Sequence, residues 1–73
     1  MQIEDMILTQ IIKTAHQGAV TGANPVPELQ AIAAGRIDLL SAAARQLASA
    51  PGAEDAHVRR RAVNLLAIAS RTA

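Results

Sequence analysis

The side chains best suited to chemistry in this chain are its arginines. Arg59, Arg60 and Arg61 follow one another in the stretch AHVRRRAVNLL, with His57 just before them and Asn64 just after. Guanidinium groups along a helix suit phosphates, and an asparagine or histidine beside them can reach base edges. His57, Arg59, Arg60, Asn64 and Arg71 therefore make one candidate surface, a basic helix face for nucleic acid. The competing expectation is a solvated face whose arginine stems cover thin alanine packing, with Asp55 close enough in sequence to pair with Arg59 or Arg60. Helix geometry favours the solvated face, because consecutive residues cannot share one side. With Val58, Ala62, Leu65 and Ala69 turned inward and Leu66 beside them, Arg59 and Arg61 flank the seam on opposite sides. Only Arg60 points fully away, together with His57, Asn64 and Arg71.

Arg36 raises a different question. It sits among Leu29, Ile32, Ala33, Leu40 and Ala43, in what reads as the apolar stripe of a helix. A charge there needs a partner or a route to water. Arginine is also enriched at the centres of protein interfaces. Two expectations follow: an ion pair with Glu4, Asp55 or an acid of a second subunit, or an anchor in a partner-binding patch made by Ile32, Arg36, Leu39 and Ala43.

Other chemistries find little to build on. His16 and His57 lie on different segments without carboxylates or cysteines at ligand spacing, so no metal site is expected. No serine or threonine has a histidine at a local spacing that suggests a nucleophile and base, and no cofactor signature is present, so no enzyme is expected. Asp38-Leu39-Leu40-Ser41 does not place a serine directly after an aspartate, as a phosphopantetheine carrier would. Ala31 and Gly35 stand at the spacing of a helix-turn-helix turn, but Arg36 and Ile37 follow in the wrong order and Ser41 occupies a position that calls for an aliphatic residue.

Three helices are expected to carry these residues, over about 2–19, 25–49 and 53–71, in one domain spanning 1–73. In the first, Ile3, Ile7, Leu8, Ile11, Ile12, Ala15 and Ala19 recur at helical spacing, with Asp5, Thr9, Lys13, His16 and Gln17 opposite. Gly18 and Gly22 end it. Asn24 is the expected N-cap of the second helix, with Pro25 in its first position and Glu28 in its first turn. Val26, Leu29, Ala33, Ile37, Leu40, Ala44 and Leu47 form that helix's stripe, and Gly35 inside it marks a close backbone approach or a break, the first being preferred. Ala50-Pro51-Gly52 separates the third helix, whose first turn receives Glu54 and Asp55.

Composition bounds the function. Of 73 residues, 51% are hydrophobic, yet Phe, Trp and Tyr are absent, so the core must be thin and alanine-rich. A chain this short is near the size where a single core barely covers the entropy of folding. With no cysteine, self-association or a partner is the expected support. A formal charge of +1 and the missing aromatics both weaken the nucleic-acid reading. No apolar run suggests a membrane span, and acids stand where a secretory signal would carry bases, so cytoplasmic residence is expected. The resulting expectation is an all-α three-helix bundle, or a helical hairpin plus a third helix. It self-associates and binds, regulates or chaperones another protein through an apolar helix face. The alternative is a small dimeric nucleic-acid-binding regulator.

Overall fold

A computed structural model describes residues 2–49 and 56–72. Among them are four helices and no strand: α1 (Ile3–Thr21), α2 (Val26–Ala33), α3 (Ile37–Ser49) and α4 (Ala56–Thr72). The all-α expectation holds, but the expected second helix is two. The continuous helix over 25–49 is broken at Ala34 and Gly35, whose φ angles are 51° and 84°. A right-handed helix cannot run through two such residues. The left-handed conformation costs a side-chain-bearing residue about 1–2 kcal/mol and glycine almost nothing. The expectation of a backbone packed against Gly35 is thereby corrected, since a Cβ built on it would meet nothing within 4 Å. The glycine is there for its φ angle. After the break the Arg36 N–H donates to the Ala33 carbonyl at 2.9 Å, and the Leu39 N–H to the Arg36 carbonyl at 3.1 Å, starting α3 at once.

The break changes which residues face inward. One stripe carried through residues 26–47 would bury Ile37, but this residue is 44% exposed; Leu40 is buried as expected, and Leu39 and Ala43, outside the expected stripe, are buried with it. The close-approach glycine is at the previous junction. Gly18 lies within α1, where an added Cβ would come to 2.5 Å from the Pro25 Cγ. The helix continues to Thr21 and is closed by Gly22 in the left-handed conformation, its N–H donating to the Gly18 carbonyl at 2.9 Å. The N-cap of α2 is Pro25 and not Asn24, so the helix starts one residue later than expected, with Glu28 in its first turn, while Asn24 Oδ1 accepts the Val26 N–H at 3.2 Å.

The core is built from Ile11, Ala15 and Ala19 of α1, Leu29 and Ala33 of α2, Leu39, Leu40 and Ala43 of α3, and Ala62, Leu66 and Ala69 of α4. On α4 the inward seam is rotated from the expected one: Leu66 is fully buried, while Val58 and Leu65 are half-buried. Ile3, expected on the inner face of α1, is 73% exposed. Contacts are densest between α3 and α4; α1 packs on both, and α2 touches α1, α4 and, to a smaller extent, α3. Gln30 ties α2 to the end of α4, its Nε2 donating to the Thr72 Oγ1 at 2.7 Å and to the Ala69 carbonyl at 3.3 Å. The Ala50-Pro51-Gly52 break, the start of a helix at residue 53 and the roles expected of Glu54 and Asp55 lie outside the described residues.

Candidate functional site

The first expected patch does not assemble. Leu39 and Ala43 are core residues, 7% and 0% exposed, while Ile32 is half-buried at the end of α2 and Arg36 is exposed in the linker. Ile32, Arg36, Leu39 and Ala43 therefore do not form one outward face. The cause is the break at Ala34-Gly35, which places them on two differently directed helices and the turn between.

Arg36 is held by carboxylates on both sides. Its Nε and Nη2 donate to Asp38 Oδ1 and Oδ2 at 3.0 and 2.8 Å, a bidentate fork, and Nη2 also donates to Glu4 Oε2 at 2.8 Å. The expected pairing with Glu4 is present and links α1 to the start of α3. Asp38, then Glu4, raise the pKa of the guanidinium, and its hydrogen bonds hold the Asp38 carboxyl below its ordinary range. With half of the Arg36 side chain exposed, this is a solvated clamp and contributes modestly to stability. Two carboxylates offset the charge of this guanidinium, which weakens its attraction for another anion.

The second expected surface is partly assembled and gains residues from α3. His57, Arg60, Asn64 and Arg71 are exposed on α4, and Arg59 is half-buried. Between α3 and α4 runs an open furrow in two sections. One, of about 540 Å³, is lined by Ser41, Ala44 and Arg45 from α3 and by Asn64, Ala67, Ser70 and Arg71 from α4, above buried Leu40 and Leu66. The other, of about 240 Å³, is lined by Ala48 on α3 and by Ala56, Arg59, Arg60 and Val63 on α4. Ala48 thus lies beside the start of α4 and Ser41 beside its end, so the two helices run antiparallel. The floor is alanine with some serine and valine, and the rims carry Arg45, Arg60 and Arg71. Neither section is lined by an acidic residue among those described, and no salt bridge among the described residues involves these three arginines.

Sequence reading missed Ser41, Ala44, Arg45 and Ala48 as members of this surface. Their spacing of i, i+3, i+4 and i+7 marks one side of a helix, but the phase of an unbroken second helix put Ala44 in the core stripe. His57 lines neither section of the furrow, and Arg61 is exposed elsewhere on α4.

A groove of about 740 Å³ also runs along α1, lined by Ile12, Lys13, His16 and Val20 with Leu47 of α3. It mixes polar and apolar groups without a cluster of one charge. Among the described residues no group of three or more His, Cys, Asp or Glu side chains could hold a metal ion, and no helix is long and apolar enough to cross a membrane. Comparison with protein-family models, with curated proteins and with solved structures finds no match for this chain.

Proposed function

We propose that the protein is a small non-enzymatic interaction protein that binds another protein along the furrow between α3 and α4. The observation that carries this reading is the combination of a small-residue floor with an arginine rim. Alanine and serine side chains let a second backbone come close, and ridge-into-groove packing of helices reaches its shortest interaxial distances, near 8 Å, over such residues. Exposed arginines around a partly apolar centre match the usual layout of a protein interface, a packed middle inside a polar rim. Only α3 and α4 contribute residues to the lining of the furrow, so no other described helix covers it.

The exposed Arg60, Asn64 and Arg71 favour nucleic acid as a second reading on the same surface. Phosphate backbones, however, make no use of an alanine floor, and most contacts to them are polar.

A photoreactive phenylalanine analogue placed at Ala67, which is exposed on the floor, tests the choice in living host cells. The expected result is a discrete protein adduct that survives nuclease, with none from the same probe at Gln10 on the outer side of α1. An adduct destroyed by nuclease would establish the nucleic-acid reading, and adducts from Gln10 but not Ala67 would move the site to α1.

A further inference from the structure

Resting on that reading, the geometry points to the chemical class of the occupant: we infer that the furrow takes an acidic, amphipathic helix of a partner protein, at least three turns long. Length follows from the rim. Arg60 and Arg71 are eleven residues apart on α4, about 16 Å along its axis, and eleven residues is close to three whole turns, so both lie on one side of the furrow. Arg45 stands on the α3 rim, in the same section as Asn64 and between those two levels.

A helix lying in the furrow meets cations on both flanks. It would present small or short apolar residues at i, i+3 or i+4, and i+7 to Ala44, Ala48 and Ala67, with carboxylates flanking that stripe. On the flank facing α4 these carboxylates stand about eleven residues apart, and on the other at least one faces Arg45. The match is one of charge. Arg45, Arg60 and Arg71 have no carboxylate partner among the described residues, whereas Arg36, just before α3, already has two. A basic or neutral helix would leave three cations facing like charge or bare water as the furrow closed, and arginine's planar fork is well suited to carboxylates.

The test is an NMR titration of the isotope-labelled chain with three synthetic helical peptides of about 15 residues. They share one alanine-rich contact stripe and carry glutamate, glutamine or lysine on its flanks. The glutamate peptide is expected to bind at least tenfold more tightly than the glutamine peptide at about 50 mM salt, with shifts confined to furrow residues of α3 and α4 and a clear loss of affinity at about 200 mM. The combined variant Arg45→Glu, Arg60→Glu and Arg71→Glu, all at exposed positions, should then prefer the lysine peptide. Equal binding of the glutamate and glutamine peptides in the furrow would overturn the acidic occupant and leave the furrow as a protein site. Shifts elsewhere, or none with any peptide, would overturn both. Displacement of the glutamate peptide by a short DNA duplex that binds more tightly would also overturn the inference, in favour of nucleic acid.

Discussion

The corner around Arg36 and the furrow between α3 and α4 use the same materials, arginine and very small residues, to opposite ends. At the corner, Gly35 supplies a backbone angle and Arg36 is consumed by Asp38 and Glu4, so the charge joins α1 to α3. In the furrow the small residues supply space, and Arg45, Arg60 and Arg71 form no salt bridge with a carboxylate among the described residues. Whether a charged side chain is part of the scaffold or available for binding thus depends on what faces it, and its identity and local sequence do not settle the matter. Both runs are rich in arginine and small residues, but Arg36 is paired with two carboxylates, whereas Arg45, Arg60 and Arg71 form no salt bridge among the described residues.

The comparison is broken most directly by moving charge. Arg60→Glu should weaken binding of the glutamate-flanked peptide by roughly threefold to tenfold, as expected for reversing one partly screened rim charge. Arg36→Gln should leave that affinity within about twofold. Isothermal titration of the two variants side by side checks this, and the reverse ranking would return the site to the Arg36 corner.

A smaller effect is expected at the break itself. Gly35→Ala forces a side chain into φ near 84° and should destabilise the fold by about 1 kcal/mol or somewhat more, while Gly35→Asn, better tolerated there, should cost less. Urea denaturation separates this from a packing effect, because crowding would make the larger asparagine the worse substitution. Ala34 gives the matching gain. It already carries a side chain at φ 51°, so Ala34→Gly should relieve strain, offset in part by the entropy of the unfolded chain, for a net stabilisation of under about 1 kcal/mol.

The smallest effect is one of pH. Arg36 holds the Asp38 carboxyl below its ordinary pKa. The resulting stability is fully present above the unfolded-state pKa of Asp38 and is lost as pH falls through the folded-state value. Melting temperatures followed from about pH 6 down to about pH 2.5 should therefore fall less steeply for Asp38→Asn than for the parent chain. No comparable acid-dependent change is expected on replacing Arg60, which has no carboxylate partner among the described residues.

Much of the fold was legible because it is local. Apolar residues at three-to-four spacing specify helices wherever they occur, and Gly22 closes α1 through an angle that glycine adopts freely. The shared outward direction of Arg60, Asn64 and Arg71 also follows from the 100° step per residue on one unbroken helix. Glycine inside a helical pattern is different, because it serves a close contact or a turn equally well. Gly18 and Gly35 have exchanged the roles that sequence reading assigned: Gly18, taken as a terminator, makes room for Pro25, while Gly35, taken as a contact, turns the chain.

By itself the sequence determined an all-helical chain with an aromatic-free, alanine-rich interior and a basic side to its last helix, because composition and periodicity act over a few turns. Tertiary structure decided the rest. Breaking the second helix shifted the phase of α3, sending Leu39 and Ala43 inward and Arg36 onto Glu4 and Asp38. Docking α3 antiparallel to α4 set Arg45 across from Arg60 and Arg71 over a floor of alanine. A furrow between two helices belongs to neither, and the spacing within one helix carries no information about the side of its neighbour it will meet.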